Sequence, residues 1–172
     1  SWALAEYEFS PKINAFLGAN GSGKTNLLDA IHYLSLTKSY FSTTDSQNIK
    51  DQNDFFSVEG LFEKSGEESK IHCALKRGQK KIVRKGKKEY DKLADHIGLY
   101  PTVVISPYDR NLIMESSETR RRFMDNVISQ GDSNYLHHLM RYNRALQQRN
   151  SLLKFFAANR TFDATTLEAL NH

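Results

Sequence analysis

Eight consecutive residues near the start of the chain have the types and spacing of a phosphate-binding loop. They match the pattern G-x-x-x-x-G-K-[ST] and are Gly18, Ala19, Asn20, Gly21, Ser22, Gly23, Lys24 and Thr25. Glycines let the backbone turn so that successive N–H groups point inward at phosphate oxygens. Lys24 then supplies a mobile positive charge for the β- and γ-phosphates, and the Thr25 hydroxyl is a hard ligand for Mg²⁺. The sequence therefore predicts that this loop binds ATP with Mg²⁺, against the alternative of a glycine-rich turn without a ligand.

The elements on either side of the loop have the order that phosphate binding requires. Residues 13–17 are a short apolar run, which predicts a strand. After the loop, apolar residues recur at helical spacing, at Leu27, Leu28, Ile31 and Leu34. Strand, loop and helix in succession predict an α/β fold, in which the N-terminal end of the helix adds its positive dipole to the phosphate site.

The middle of the chain predicts a small antiparallel sheet at about residues 55–90. The segments that separate its strands are brief, as in hairpins, and the strands are expected at 55–62, 70–76 and 80–84. Residues 102–105 are apolar and largely β-branched, and they predict one further strand. We expect these elements to form, with the loop, a head lobe over residues 1–115.

Helical patterns dominate the remainder, for which we predict a helical lobe or arm over residues 116–172. The expected helices begin at Ser116 or Ser117 and at Asp132 or Ser133, and they end at Ile128 and about Ala158. In the second helix a heptad row of leucines is present, at Leu139, Leu146 and Leu153. Arg149 interrupts the accompanying row, which favours an amphipathic arm over a sustained coiled coil.

Residues that would hydrolyse ATP are harder to identify than those that would bind it. Hydrolysis needs an acid beside the metal and a group that positions water, but no apolar strand after Thr25 ends in Asp-Glu. Asp109 follows an apolar run and is a candidate acid, with the alternative that it belongs to a turn or caps a helix. No catalytic residue is assigned, and whether the chain is an enzyme stays open.

Composition narrows the class of protein. The chain has 172 residues, 39% of them hydrophobic, and a single cysteine, which excludes an internal disulfide framework and fits a reducing compartment. No apolar run approaches the roughly 20 residues of a membrane span. These features predict a cytoplasmic protein without a membrane partner, in which Cys73 is a buried core thiol.

Several motifs in the same order identify a family. The loop and its helix resemble those of SMC-like ATPases, and the later motifs resemble the RecF family of bacterial recombination mediators. The motifs are Phe16 to Ile31, Lys38-Ser39-Tyr40, Ile105-Ser106-Pro107, Arg120-Arg121-Arg122-Phe123-Met124-Asp125 and Tyr142 to Asn150. One departure is Phe41, which stands where many members carry arginine.

The resemblance implies an ATP-binding head of the ABC or SMC type, a P-loop NTPase with a flanking antiparallel sheet and the base of a helical arm. It also implies a homodimer closed by ATP on DNA at single-strand to double-strand junctions. RecR and RecO are the implied partners in helping to load RecA at gaps. RecF proteins carry their Walker B acids and Leu-Ser-x-Gly-like motif near the C-terminus, so we expect this chain alone to be inactive and the full-length protein to hydrolyse ATP slowly.

Positive charge is concentrated in one segment. Residues 76–88 contain eight basic residues and no acidic one, so this segment is +8 while the rest of the chain is −4. Such a segment neutralises DNA phosphates without reading sequence, or it keeps a sheet edge soluble. The candidate DNA contacts are Lys80, Lys81, Arg84, Lys87, Lys88, Arg120, Arg121 and Arg122. The last three open a helix and point in different directions, so they cannot all serve one ligand.

Two rival functions remain from the sequence. One is a small P-loop kinase, which would need a substrate pocket and a lid arginine within one compact domain. The other is a nucleotide-binding regulatory fragment without DNA binding. Salt-dependent DNA affinity would favour the RecF-like function over the kinase, and nucleotide binding would exclude a remnant, regulatory or purely structural, that binds no nucleotide.

Overall fold

The computed structural model describes residues 4–169, and the chain divides into two units at residues 109 and 110. In the first unit, helix α1 spans Lys24–Leu36 and directly follows the glycine-rich loop. Four antiparallel strands follow in the order in which they occur in the sequence: β1 (Phe55–Lys64), β2 (Glu67–Lys76), β3 (Ile82–Lys85) and β4 (Lys88–Glu89). The predicted antiparallel sheet is therefore present.

The turn between β1 and β2 sets the register of the sheet. Ser65 and Gly66 both have positive φ, 56° and 80°, which suits a tight turn between right-twisted strands. Lys64 pairs with Glu67 across that turn, and the ladder continues to Phe55 opposite Lys76. Because side chains alternate across a strand, this register places every second residue of β1 and β2 on the face that α1 covers.

The core of the first unit lies between α1 and this sheet. Tyr33 and Leu34 of α1 pack with buried residues of the sheet and the segment after it, namely Ile71, Cys73, Val83 and Tyr100. Gly60 allows the helix to come close, because a Cβ atom there would lie 2.7 Å from Leu34 Cδ1. The prediction of a buried thiol at Cys73 is confirmed, and burial raises its pKa to about 11.

Two predicted strands are wrong. Residues 13–17 and 102–105 are not part of any ladder among residues 4–169. Several of their apolar side chains are also open to solvent, with exposed fractions of 86% at Ile13, 93% at Leu17 and 87% at Ile105. An apolar run becomes a strand only when a neighbour accepts and donates its backbone hydrogen bonds, and the run itself does not reveal that neighbour.

The second unit is helical. Its helices are α2 (Asn111–Met114), α3 (Ser117–Gly131), α4 (Ser133–Asn159) and α5 (Ala164–Ala169). Asp132 ends α3 and caps α4, since its carboxylate accepts hydrogen bonds from the backbone N–H groups of Asn134 and Tyr135 at 2.8 and 3.0 Å. The Tyr135 hydroxyl donates to Asp125 at 2.6 Å and so joins α4 to α3. The two long helices predicted from the sequence are confirmed.

His96 is the most buried polar residue of the first unit, with an exposed fraction of 0%. Its Nε2–H donates to the carbonyl of Leu34 at 2.7 Å, and its ring lies 5.2 and 6.0 Å from the ring centroids of Tyr90 and Tyr100. Burial lowers the pKa of His96 from its ordinary value of 6.5. Burial thus favours the neutral form of this ring in the folded protein.

We expect the free energy of unfolding to fall as the pH drops below 6.5, because the unfolded chain then binds a proton that folded His96 does not. The slope from this residue is at most about 1.4 kcal/mol per pH unit. His96→Gln keeps an N–H donor but does not titrate. Urea denaturation at pH 7.5 and 5.0 should therefore show that this variant loses less of its free energy of unfolding between the two pH values. Burial also lowers the pKa of His32. Because His32 is present in the parent protein and in the variant, it changes the free energy of unfolding equally in both. An equal pH dependence of the free energy of unfolding in the parent and the variant would contradict the role given to His96.

Candidate nucleotide-binding site

The predicted phosphate-binding loop is open to solvent and bends where its glycines lie. Gly21 and Gly23 have φ of 82° and 96°, in the region that favours glycine. Gly23 is the N-cap of α1, and its carbonyl accepts the first helical hydrogen bond, from Leu27 N–H at 3.0 Å. A Cβ atom on Gly18 would come within 3.0 Å of Ser22 Oγ. The bend thus depends on glycine at positions 21 and 23, and a side chain at Gly18 would press on Ser22.

The Lys24 side chain folds back over the loop. Its Nζ donates to the carbonyls of Gly18 and Ala19, each at 2.8 Å, and lies 3.5 Å from Ser22 Oγ. The ammonium group is therefore held at the loop by weak neutral acceptors, which phosphate oxygens can replace with stronger charge-assisted bonds. Thr25 follows on the first turn of α1 and is exposed. These residues fit the phosphates of a nucleotide and an oxygen-liganded Mg²⁺.

Asp29 of α1 organises the loop that follows the helix. Its Oδ2 accepts a hydrogen bond from Ser39 Oγ at 2.6 Å, and its Oδ1 accepts one from Tyr40 N–H at 2.7 Å. Ser39 Oγ in turn accepts from the N–H groups of Phe41 and Ser42 at 3.1 and 2.8 Å. The sequence marked Lys38-Ser39-Tyr40 only as a family motif. The sequence around Asp29 did not indicate this role, because its partners Ser39 and Tyr40 lie ten and eleven residues further along the chain.

Asp109 occupies a turn-capping position. Its Oδ1 accepts a hydrogen bond from the Tyr40 hydroxyl at 2.5 Å, and its Oδ2 accepts one from Ser106 N–H at 2.7 Å. The hydrogen bond from Tyr40 is the main cause that lowers the pKa of the Asp109 carboxyl. Both oxygens are thus engaged within the protein. This arrangement matches the turn aspartate considered from the sequence.

Lys81 requires a correction among the predicted DNA contacts. Its Nζ pairs with Asp45 Oδ2 at 2.7 Å and donates to the carbonyl of Thr37, and it lies 5.2 Å from the centroid of the Tyr33 ring. The side chain is only 13% exposed. Tyr33 also donates its hydroxyl to Asp45, at 2.8 Å. Lys81 therefore fastens β3 to the end of α1 and is not available to a phosphate.

The other basic residues of this segment remain at the surface. Lys80, Lys87 and Lys88 are exposed. Arg84 is also exposed and lies 3.6 Å from Glu89, a separation at which an exposed ion pair contributes little. These four side chains retain the charge and access that a DNA backbone requires.

The three arginines of α3 have different local partners in the second unit. Arg120 donates to the carbonyls of Leu112 and Glu115 at 3.3 and 3.2 Å, which satisfies carbonyls around the end of α2. Arg121 donates to Ser117 Oγ at 3.1 Å, and Arg122 pairs with Glu118 at 2.9 Å. All three arginines are exposed, and Arg120 differs in that both of its partners are backbone carbonyls.

A family model described as an AAA domain matches residues 1–169. The chain belongs to the AAA domain family. The most similar curated relatives of this AAA domain include the DNA replication and repair protein RecF of Flavobacterium johnsoniae, 54% identical over 171 residues. That match covers 99% of the chain and 48% of the relative, so the chain spans about half the length of the curated relatives it matches. The resemblance to the N-terminal part of RecF is confirmed.

Solved structures agree with the fold of this AAA domain. The structure titled recombination mediator protein RecF-ATPrS in the RecFOR pathway has a TM-score of 0.81 and 33% identity, over 89% of the chain and 41% of that protein. A structure titled for ATP-driven dimerization and DNA-stimulated activation of SMC ATPases has a TM-score of 0.53 at 21% identity, over 69% of the chain and 86% of that protein. The predicted α/β head of RecF and SMC type is therefore confirmed. Among residues 4–169, no helix combines the length and apolar character needed to cross a membrane.

We expect Lys81→Met to lower the free energy of unfolding by about 1–3 kcal/mol, because it leaves Asp45 without its charge partner. Lys80→Met is the matched control, since it removes the same charge from an exposed neighbour. Urea denaturation of the two variants measures whether the loss of Lys81 costs more free energy of unfolding than the loss of Lys80. Equal, small effects would show that Lys81 does not hold β3 to α1.

Proposed function

We propose that the chain is the ATP-binding part of a RecF-like DNA repair protein, with ATP and Mg²⁺ held at Gly18 to Thr25. The observation that carries the proposal is the Lys24 ammonium, which lies on the Gly18 and Ala19 carbonyls at the rim of a bent, solvent-open loop. The relative whose title names ATPrS supports the nucleotide class, at 33% identity.

The roles of the loop residues follow from their chemistry. Backbone N–H groups of the loop and the first turn of α1 donate to phosphate oxygens, with the helix dipole adding to their effect. Lys24 would bind the β- and γ-phosphates, and the Thr25 hydroxyl would ligate Mg²⁺, which would offset the charge of the phosphates. No residue of the chain is assigned to hydrolysis. In the complete protein we expect slow hydrolysis, with the acids supplied by the rest of the polypeptide.

We further propose that the complete protein binds DNA in an ATP-dependent and sequence-independent way, at single-strand to double-strand junctions. The exposed side chains of Lys80, Arg84, Lys87 and Lys88 support this, because they concentrate charge on one hairpin. The wider role is that of a cytoplasmic homodimer that acts with RecR and RecO and helps to load RecA. It is supported by the relatives' names, which cite DNA replication and repair and the RecFOR pathway.

The small P-loop kinase is the weaker alternative. A kinase of that type encloses its substrate under a lid within one compact domain, whereas here residues 117–159 form a long helical hairpin. The regulatory fragment without DNA binding is the second alternative. This alternative explains the phosphate-binding loop but gives no function to the exposed basic hairpin.

Lys24→Ala should abolish most of the affinity for ATP, because Lys24 is the one charged side chain of the loop. Loss of a charge-assisted interaction of this kind weakens binding by at least about tenfold. Isothermal titration calorimetry with Mg²⁺ and ATP measures the effect, and Lys12→Ala, at an exposed position before the loop, is the control. An affinity of Lys24→Ala equal to that of the control would rule out this loop as the nucleotide site.

The DNA proposal is tested on the complete protein with Lys80, Lys87 and Lys88 replaced together by alanine. If all three neutralise phosphates, the slope of log affinity against log salt should flatten by about 0.9 for each. Affinity should fall to a similar degree for unrelated DNA sequences. The control carries alanine at three other exposed lysines of the first unit, Lys12, Lys50 and Lys92. A slope shared by both triple variants would indicate that the hairpin lysines serve only solubility.

A further inference from the structure

We propose that Tyr40 is a positioning residue that links occupancy of the phosphate-binding loop to residues 105–109, through the hydrogen bond from its hydroxyl to Asp109. The proposal rests on the proposed binding of ATP by the chain. All the contacts that carry it lie within the first unit. They form a continuous path from the first turns of α1 to the residues directly before the second unit begins.

The first step of the path is on α1 itself. Asp29 lies one helical turn after Thr25 and on the same face, because residues four apart are neighbours on a helix. Both oxygens of Asp29 are engaged, one by Ser39 Oγ at 2.6 Å and one by Tyr40 N–H at 2.7 Å. A rotation or shift of the first turns of α1 therefore moves the backbone of residues 39 and 40 with it.

The second step is the Tyr40 side chain. Its ring makes edge contacts with His32 and Phe41, at centroid distances of 5.5 and 4.9 Å, which leave it little freedom to turn. Its hydroxyl donates to Asp109 at 2.5 Å and lies 3.4 Å from Ser106 Oγ. A hydrogen bond to a carboxylate is among the stronger ones in proteins. Movement of Tyr40 is thus transmitted to Asp109.

The third step is the turn that Asp109 closes. Its other oxygen accepts from Ser106 N–H at 2.7 Å, so the same carboxylate joins Tyr40 to the backbone of the turn. Residues 102–105, directly before this turn, pair with no strand in the described part of the chain. The Asp109 carboxylate therefore joins Tyr40 to the turn that directly follows this segment.

Nucleotide binding has a direct means of changing the start of this path. Lys24 donates to the Gly18 and Ala19 carbonyls, and these bonds must break for its ammonium to reach phosphate oxygens. Lys24 is also the first residue of α1, five residues before Asp29. A change in the loop and first turn therefore reaches Asp29 through one continuous helix.

Hydrogen–deuterium exchange of the complete protein, with and without Mg²⁺ and ATP, tests the proposal. Tyr40→Phe keeps the ring and its edge contacts but removes the hydroxyl. Tyr108→Phe is the matched control, because it removes a hydroxyl from a 67% exposed tyrosine of the same turn. Calorimetry on each protein reports the affinity for ATP separately. If Tyr40→Phe does not fold, Asp109→Asn takes its place, since it removes the charge that strengthens the same bond.

We expect ATP to change the exchange rate of peptides covering residues 103–109 by at least about threefold in the parent protein and in Tyr108→Phe. In Tyr40→Phe this ATP-dependent change should be absent, while affinity for ATP stays within about twofold of the parent. A Tyr40→Phe variant that keeps the full change would overturn the proposal, and so would a parent that binds ATP without any change in these peptides. A parent that does not bind ATP would instead refute the proposed function, and the coupling with it.

Discussion

The packing of α1 against the antiparallel sheet is the constraint on which the candidate site depends. Tyr33 and Leu34 lie in the core, and Gly60 lets β1 approach the Leu34 side chain where any larger residue would collide with it. His96 holds the backbone of the same turn through the Leu34 carbonyl. With its C-terminal half fixed in this way, α1 presents its N-terminal end and the glycine-rich loop to solvent. A phosphate site of this kind needs just such a rigid support for a loop whose own contacts are few.

A second constraint is the charge cluster at the other end of α1. Lys81, Asp45 and the Tyr33 hydroxyl bond to one another, and Lys81 also reaches the Thr37 carbonyl. Removing one partner of a partly buried charge pair destabilises a fold mainly because the other partner is left unsatisfied. The cluster fixes the start of the basic hairpin to the helix that follows the phosphate loop. The exposed lysines are consequently carried by a hairpin that is fastened to α1, with Lys80 in the connection before β3 and Lys87 in the turn before β4.

Sequence patterns predicted the elements whose residues lie close together in sequence. They were less informative where the structural partner of a residue or strand is distant in sequence. The loop pattern, the leucine spacing of α1 and the brief turns of the hairpins are all readable within a few residues. Residues 13–17 and 102–105 have the composition of strands, but strand formation depends on a neighbour that the composition does not contain. Lys81 lies among seven other basic residues and looks like them, although Asp45 lies 36 residues away. Asp109 is bound to Tyr40 over 69 residues, a separation that no motif spacing indicates.

The central claim is that the backbone of residues 18–25 receives the phosphates, and backbone amide NMR tests it most directly. Spectra of the ¹⁵N-labelled complete protein would be recorded while Mg²⁺ and ATP are added. The account predicts that the largest chemical-shift changes fall on the amides of Gly18 to Thr25, since these N–H groups gain charged acceptors. ATP binding that leaves these amides unchanged and shifts those of another segment would contradict it.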